Sequence, residues 1–412
     1  MISHRAFVRV ASLLLGFALL PTASAEDFTV GQGGLATIQS AVDAALTNNK
    51  PDDSILVPAG TYLESVFISL ASLTGTNVQE RLTLKRTGQG QVLIQGSTGF
   101  PALHLSDVEN VSVGKLTVNS GDSTDSVPAL AVSGMSVNVA VTDVTGMPGD
   151  DYGVIVVGSS DMKAPTTLGV YFEDCDFSGM LKKGFWVNGI GHELRECTAN
   201  GCGENGVVVD VLSANCTLDR CTALASLGQD STNFGYITVR GSGHHVKGTR
   251  VSGAGIHGFQ ISGTGHQFED CEATDNANSG YFVSSASVLL DGCEASDNLF
   301  GLKGGGDGLS IVRGKYNDNS SHGLEFTTGG GRLRSVTANG NGGHGVYLKP
   351  GADGMVIASC AMKNNAGEGA QVESDLNWLE GNKAKKGDGL VDLGSNNGGR
   401  SNTVKEGATN DF

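Results

Sequence analysis

The sequence is poor in aromatic and charged residues, and it has no long hydrophobic run beyond its first twenty residues. Only 6% of the 412 residues are aromatic and 17% are charged, whereas 62 are glycine. This composition suits an elongated all-β body with many tight turns, in which glycine supplies the positive φ that turns need. Because no second hydrophobic run follows the first, we expect no membrane span.

Basic residues are also scarce. The chain has 27 Lys and Arg residues against 43 Asp and Glu residues, a formal net charge of −16. This balance disfavours a nucleic-acid partner. It also disfavours a polyanionic substrate, unless Ca²⁺ or local basic residues offset the negative charge.

The N-terminus has the pattern of an export signal. Arg5 and Arg9 precede a short apolar run from Ala11 to Leu20, and a small-residue cleavage site, Ala-Ser-Ala, follows it at residues 23–25. We therefore predict a signal peptide over residues 1–25 and a single domain over residues 26–412. The mature protein is expected to be a secreted or periplasmic monomer.

One pattern repeats along most of the chain. Residues 258–279 and 280–300 each open with Gly, continue through an alternating apolar strand and a turn, and reach Cys and then Asn. The same opening glycine recurs at 184, 206, 235, 258, 280, 301, 323, 345, 369 and 389. A period near 22 residues with internal alternation predicts stacked coils of short strands, that is, a solenoid.

A helix is predicted at the N-terminal end. Residues 35–47 have apolar side chains at helical spacing, and a short amphipathic helix there would cap the exposed end of the solenoid. The segments TIQSAVDAA and ILVPAGTYLESVFI resemble the first coil of the pectin-lyase-like superfamily, and the later repeats are similar to its coils. The resemblance implies an all-β, right-handed parallel β-helix.

The resemblance implies no particular activity. The chain lacks the Asp-Phe-Ile-Phe-Gly segment of pectin methylesterases, the Asp-Pro-His motif of mannuronan epimerases and the Asp-His pair of pectate lyases. Of the polygalacturonase motifs it has only Gly-His-Gly, at residues 343–345, without the acidic partners. The superfamily includes lyases, hydrolases, esterases, epimerases and non-enzymes, so the function has to be argued from other residues.

Aligning the repeats predicts which side chains point inward, since alternate strand residues face opposite sides. An apolar column comprises Leu194, Leu218, Val246, Phe268, Leu290, Ile311, Leu333 and Ile357. A column of small residues comprises Cys175, Cys197, Cys221, Thr249, Cys271, Cys293, Gly314, Val336 and Cys360. Stacked cysteines point in parallel, so we predict free thiols. A third column comprises Asn276, Asn298, Asn319, Asn341 and Asn365, which we expect to form a hydrogen-bonded asparagine ladder.

A fourth inward column starts with His192, Cys216, His244 and His266 and continues with apolar residues. Imidazole and thiolate are good transition-metal ligands, and Cys197, Cys202, Cys216 and Cys221 have spacings found in zinc sites. However, Cys197 and Cys221 belong to the cysteine column and Cys202 lies on another wall. We therefore interpret the column as a hydrogen-bonded structural row, with a metal site as the alternative.

The outward face of the strand after each repeat glycine is the expected functional surface. Acid–base groups concentrate there on neighbouring coils, and the candidate catalytic residues are Lys303, His322, Glu325, His344, Tyr347 and Lys349. Earlier coils place candidate substrate-binding residues on the same face, namely Trp186, Asp210, Arg240, Gln260 and Phe282. The alternative interpretation of the catalytic set is a solvated face with a Lys303–Glu325 cross-strand pair.

Three loops interrupt the 22-residue period, at residues 120–128, 145–153 and 226–235. Four aspartates in the first two loops are candidate ligands of Ca²⁺, a hard ion that prefers several oxygen ligands. They are Asp122, Asp125, Asp150 and Asp151. Acidic loops are more often merely solvated, and both interpretations are kept.

Two functions from different classes follow from the sequence. The first is a secreted polysaccharide lyase that acts on a uronate-containing polymer, since β-elimination needs a base, an acid and a cation against the carboxylate. Lys, His and Tyr side chains can supply these roles. The second is a non-catalytic secreted or surface β-helix that binds polysaccharide or serves a structural role.

Overall fold

The computed structural model describes residues 25–48, 50, 52–69, 81–121, 126–158, 166–225, 235–385, 389–405 and 409–412. The predicted signal peptide, apart from Ala25, lies outside the described residues. So do Asp122, Asp125 and residues 226–234 of the third loop.

A single helix, Ile38–Thr47, covers the N-terminal end of the described structure. It begins three residues later than predicted because Thr37 is extended and caps it, exchanging hydrogen bonds with Ser40. The Glu64 carboxylate accepts the next two amide hydrogens, those of Ile38 and Gln39, at 2.8 and 3.0 Å. One face of the helix, including Ile38, is buried on the first coils, which agrees with a capping role.

The described strands form four parallel sheets. Sheet A has eighteen: Asp27–Thr29, Asp53–Val57, Gly60–Leu63, Leu82–Arg86, Val92–Gln95, Val111–Asn119, Ala140–Gly146, Tyr171–Glu173, Glu193–Arg195, Thr217–Asp219, His245–Lys247, Gln267–Glu269, Leu289–Asp291, Ser310–Val312, Arg332–Arg334, Val356–Ala358, Trp378–Glu380 and Gly398–Arg400. Sheet B has fourteen: Val66–Ser69, Leu103–Ser106, Pro128–Ser133, Tyr152–Val156, Lys183–Val187, Asn205–Val209, Gly235–Val239, His257–Thr264, Ser279–Ala286, Phe300–Gly305, Leu324–Phe326, Val346–Leu348, Ala370–Val372 and Leu390–Asp392. Sheet C has five: Thr222–Leu224, Arg250–Ser252, Glu272–Thr274, Glu294–Ser296 and Lys315–Asn317. Sheet D has three: Ala361–Lys363, Lys383–Lys385 and Thr403–Lys405.

In the regular central coils the chain runs from sheet B to sheet A, then to sheet C, and back to sheet B on the next coil. Phe259 pairs with Tyr281 on sheet B, and Phe268 pairs with Leu290 on sheet A, so each pair is one repeat apart. This register places Cys271 and Cys293 at equivalent positions of adjacent coils. The solenoid predicted from the repeat and the parallel β-helix that the resemblance implied are therefore confirmed.

The inward columns form the core. Every member of the predicted apolar column is at most 1% exposed, and the cysteine column and the asparagine ladder are buried as well. The ladder is continuous: the amide of Asn276 donates to Asn298 at 2.8 Å, and the last link, from Asn341 to Asn365, is 3.0 Å. These contacts give the buried asparagine side chains hydrogen-bond partners on the adjacent coils.

All eight cysteines lie within the described residues, and they are buried free thiols. Thiol groups donate to carbonyl oxygens of the preceding coil, for example Cys271 to Val246 at 3.4 Å. Burial raises the pKa of the Cys360 thiol to about 11, so it stays protonated and unreactive at neutral pH. The prediction of unpaired, parallel thiols is confirmed.

The repeat glycines have a different role from the one their composition suggested. Gly258, for example, does not adopt a positive φ. A Cβ there would lie 2.8 Å from the Asn276 amide and 2.9 Å from the Gly280 carbonyl oxygen. The positive φ values fall instead on corner residues such as Asp270 and Asp275, which directly precede the cysteine and asparagine columns. Close packing against the ladder therefore explains the repeated glycine.

Candidate functional site

The outward face of sheet B carries one continuous column of side chains. Direct strand pairings on successive coils join its members, which are Trp186, Val208, Thr238, Gln260, Phe282, Lys303, Glu325, Tyr347 and Gln371. Not all of them are accessible: Val208, Thr238 and Glu325 are at most 5% exposed. The outward face, expected to be the functional surface, is therefore closed at these three positions.

The six predicted catalytic residues do come together, and we call them the lysine–tyrosine cluster (Lys303, His322, Glu325, His344, Tyr347 and Lys349). Glu325 lies at its centre with a side chain only 3% exposed. The ammonium groups of Lys303 and Lys349 lie 3.6 and 3.0 Å from its Oε1. Neither ammonium is in hydrogen-bond alignment with that oxygen, so the contacts are ionic. The cross-strand Lys303–Glu325 pair is present, and a second lysine joins it.

Both lysines remain partly accessible while Glu325 does not. Their side chains are 33% and 36% exposed. One buried carboxylate cannot neutralise two ammonium groups, so the three side chains leave a local charge of +1 that faces solvent. This is the part of the cluster that is suited to binding an anionic group of a ligand.

The two histidines of the cluster are stacked, with ring centroids 5.0 Å apart. Nδ1 of His322 accepts the His344 amide hydrogen, and Nδ1 of His344 accepts that of Glu368, both at 2.8 Å. Each neutral ring therefore carries its proton on Nε2. The His322 Nε2 faces Glu325 Oε2 at 3.8 Å.

Burial lowers the pKa of His322 to about 4, and the adjacent His344 ring and the lysines add to the shift despite the opposing effect of Glu325. Burial also lowers the pKa of His344. Both rings are therefore neutral at pH 7, and their Nδ1 lone pairs are already used. The two candidate catalytic histidines are therefore not available as bases in this geometry, in which the rings can only donate through Nε2.

Tyr347 has a partner that the sequence interpretation missed. Its phenol donates to Glu373 Oε2 at 2.9 Å, and Gln371 Nε2 donates to Glu373 Oε1 at 2.6 Å. Burial and the Glu373 carboxylate raise the pKa of Tyr347 to about 12, so the phenol stays protonated. Glu373 points to the same outward side as Gln371, to which it is hydrogen-bonded. Its position two residues after Gln371 was the only signal in the sequence.

The predicted binding residues form two groups rather than one. The Trp186 indole donates to Asp210 at 3.0 Å, and Arg240 lies 3.7 Å from the same carboxylate. Gln260 joins them around a shallow depression of about 210 Å³. Trp186 is seven strands from Tyr347, a separation of about 34 Å at about 4.8 Å per strand. Phe282, by contrast, pairs directly with Lys303 at the edge of the lysine–tyrosine cluster.

The described candidate ligands for metals are occupied by the protein itself. Asp150 accepts two hydrogen bonds from Ser120, and Asp151 pairs with Lys182 at 2.6 Å. In the histidine row, Nδ1 of His244 accepts the Cys216 amide hydrogen at 3.0 Å. Among the described residues no group of three or more His, Cys, Asp or Glu side chains is placed to hold a metal ion. The histidine row is hydrogen-bonded between coils, as interpreted.

No helix in the described part of the chain is long and apolar enough to cross a membrane. The acid–base groups of the lysine–tyrosine cluster, together with Glu373, are a phenol, two carboxylates, two lysines and two Nε2–H imidazoles. Such a set can bind an anion, donate a proton and accept one at Glu373.

The comparisons with known proteins agree with this fold. The model of a family described as the right-handed β-helix region matches residues 129–280 and 235–406. No curated protein matches the sequence. The chain is similar to the N-terminal fragment of gene product 12 of bacteriophage Phi29, with 13% identity and a TM-score of 0.55, over 89% of this chain and 69% of that one.

It is also similar to the A-module of a mannuronan C-5 epimerase from Azotobacter vinelandii, with 16% identity and a TM-score of 0.50, over 89% and 94% of the two chains. An alginate lyase from a Paenibacillus strain has 12% identity and a TM-score of 0.47, over 66% and 94%. At these identities the first two likenesses show a shared fold and nothing further.

Proposed function

The chain belongs to the right-handed β-helix family, and from that premise we propose that it is an exported, carbohydrate-active protein. It binds a uronate-containing polysaccharide along the outward face of sheet B. It cleaves the polymer by β-elimination at the lysine–tyrosine cluster. The observation that carries the proposal is the pair of partly exposed lysines, Lys303 and Lys349, held by one buried carboxylate beside the Tyr347–Glu373 hydrogen bond.

In this mechanism the lysines bind the uronate carboxylate at C5. Positive charge there stabilises the negative charge that develops when the C5 proton is removed. Because Glu325 fixes both ammonium groups before substrate arrives, little reorganisation is needed. Lys303 and Lys349 thus supply the charge that Ca²⁺ would otherwise contribute, so activity is expected to persist in the presence of a chelator.

Tyr347 and Glu373 carry out the proton transfers. The Glu373 carboxylate takes the C5 proton, and Tyr347 gives its phenolic proton to the oxygen that leaves C4. The C4–O bond breaks, a C4–C5 double bond forms, and Glu373 then returns its proton to Tyr347 across their 2.9 Å hydrogen bond. The pair returns to its starting state with no net gain or loss of protons.

The test is a panel of uronate polymers, with alginate and polygalacturonate first, assayed with and without a chelator. The unsaturated product absorbs in the ultraviolet, so an increase in absorbance reports elimination directly. We expect a signal with at least one polymer that survives the chelator. Binding of a polymer without any absorbing product would reject the elimination mechanism.

That negative outcome would favour the second candidate, a non-catalytic exported β-helix that binds polysaccharide. The observation in its favour is that much of the cluster is satisfied internally: Glu325 is buried, and the Nδ1 atoms of His322 and His344 accept backbone hydrogen bonds. Affinity measurements beside the absorbance assay distinguish the two functions, because only the enzyme produces new unsaturated ends.

A further inference from the structure

Consecutive glycines form the floor of a trough beside Lys303. Gly304 and Gly305 end the strand Phe300–Gly305, Gly306 follows, and the depression over them has a volume of about 560 Å³. It extends over the carboxyl ends of three neighbouring sheet B strands, the other two being Ser279–Ala286 and Leu324–Phe326. Of the residues that line it, only Phe282 and Lys303 were predicted to have a functional role.

The floor cannot carry side chains without breaking the stack of coils. Gly304 and Gly305 have φ values of +125° and +152°, which L-residues rarely adopt. A Cβ on Gly304 would lie 2.0 Å from the Val283 carbonyl oxygen, and one on Gly305 would lie 2.6 Å from Thr328 Oγ1. The packing of adjacent coils therefore keeps the trough open.

The walls of the trough combine an apolar surface with hydroxyl groups. Phe282 lines one side, and its ring is held by stacking on His257, with centroids 4.5 Å apart and planes 11° from parallel. The exposed residues Ser284 and Thr327 add hydroxyls. Lys303 lies in the lining as well, so the trough is continuous with the lysine–tyrosine cluster.

We infer that the trough is the subsite for the uronate unit next to the one that reacts, an inference that rests on the proposed function. A pyranose ring has an apolar face that suits the glycine floor and Phe282, and its hydroxyls suit Ser284 and Thr327. Asp307, which also lines the trough, repels a carboxylate placed on its own side and so selects one orientation of the sugar.

The experiment fills the trough and measures binding separately from cleavage. Thr327→Trp places a large ring in the trough, and Ser284→Phe does so from another strand. Thr403→Trp is the matched control, because Thr403 is an exposed strand residue on sheet D. Affinity for tetramers of mannuronate and of galacturonate is measured by calorimetry, and thermal melts identify any variant that fails to fold.

For the tetramer that the unmodified protein binds, we expect Thr327→Trp and Ser284→Phe each to weaken binding at least about tenfold. We expect Thr403→Trp to leave binding unchanged. Loss of binding in the trough variants supports the subsite even if the unmodified protein forms no unsaturated product, a result that would reject only the elimination mechanism. Unchanged binding in folded trough variants overturns the subsite while leaving elimination intact. Binding of neither tetramer by the unmodified protein overturns the subsite for uronates.

Discussion

Two histidine pairs in this protein have nearly the same local geometry and different surroundings. His244 and His266 stack at 5.1 Å inside the core, and His322 and His344 stack at 5.0 Å on the outward face of sheet B. In each pair the Nδ1 atoms accept backbone hydrogen bonds between coils. The stacked, coil-bridging arrangement is therefore a property of the solenoid and does not by itself indicate function.

The difference lies at Nε2. In the inner pair, Nε2 of His244 donates to the Arg240 carbonyl oxygen at 2.6 Å, and Nε2 of His266 donates to the Ser262 carbonyl oxygen at 2.9 Å. Every ring nitrogen of this pair is therefore hydrogen-bonded within the core. In the outer pair the His322 Nε2 faces the buried carboxylate of Glu325, and both rings contact Tyr347. The inner pair completes a fold, whereas the outer pair forms part of the wall of a charged cluster.

The largest expected effect is the loss of stability at acidic pH, to which both pairs contribute. Burial lowers the pKa of His192, His244 and His322 to about 4 from an unfolded value near 6.5. Between these values the unfolded chain binds more protons than the folded one, so stability falls as the pH decreases from about 6.5 to about 4. For fully buried His192 and His244 the loss approaches about 3 kcal/mol each.

Denaturant unfolding at pH 7, 5.5 and 4.5 measures this effect. His192→Gln is expected to flatten the pH dependence without removing it, since the other rings still titrate. Asp150, whose pKa is raised by burial, acts in the opposite direction but is a single group. Constant or increasing stability over this range would mean that the rings are not held neutral by burial.

The second effect concerns activity on the outer face. Tyr347→Phe removes the proposed acid and its hydrogen bond to Glu373 but keeps the ring that contacts both outer histidines. We expect the elimination rate to fall at least about a hundredfold, the lower range of what a general acid contributes. Stability should change little because the phenol is not fully buried. A change of less than about tenfold in the elimination rate would place the acid elsewhere.

The architecture could be predicted from the sequence because a 22-residue period places equivalent residues on top of each other. The asparagine ladder, the cysteine column and the inward histidine row follow from that register alone, since a strand fixes the direction of each Cα–Cβ bond. The outward column of sheet B could be predicted to the same extent. Its members Lys303, Glu325 and Tyr347 are indeed neighbours.

The chemistry of the outward face could not be predicted in the same way. Strand register does not determine where the end of a long side chain lies, so the burial of Glu325 between two lysines and the bond from Tyr347 to Glu373 depend on rotamers set by neighbours. The glycine trough was missed for a related reason. Consecutive glycines in a glycine-rich chain reveal an open surface only when the adjacent coils are in place.

A matched pair of substitutions, one in the inner histidine pair and one in the outer pair, tests directly whether the two pairs differ in role. His244→Leu leaves the buried Arg240 carbonyl and the Cys216 amide without partners, and we expect a loss of about 2–4 kcal/mol in unfolding free energy. His322→Leu removes one hydrogen bond, in which Nδ1 accepts the partly buried His344 amide hydrogen, and we expect a loss of about 1 kcal/mol.

The activity of the same two variants should change in the opposite order. His244→Leu is expected to leave the elimination rate per folded molecule unchanged. His322→Leu is expected to lower it several-fold, because it removes a side chain that faces Glu325. Equal stability losses in the two variants, measured by denaturant unfolding, would mean that the outer pair is as structural as the inner one.

The smallest expected effect concerns the charge beside the outer pair. Lys303→Ala removes one of the two ammonium groups next to Glu325, and Lys349 remains at 3.0 Å to interact with the substrate carboxylate. We therefore expect about a tenfold decrease in kcat/KM, smaller than for Tyr347→Phe, because one lysine partly substitutes for the other. Stability should stay within about 0.5 kcal/mol, since a partly exposed lysine contributes little to folding.

Lys315→Ala is the control for Lys303→Ala, because Lys315 pairs with Glu294 on sheet C, away from the outward face of sheet B. If Lys315→Ala lowered kcat/KM as much as Lys303→Ala, the effect would reflect overall charge, and the lysine–tyrosine cluster would not be the binding site of the uronate carboxylate.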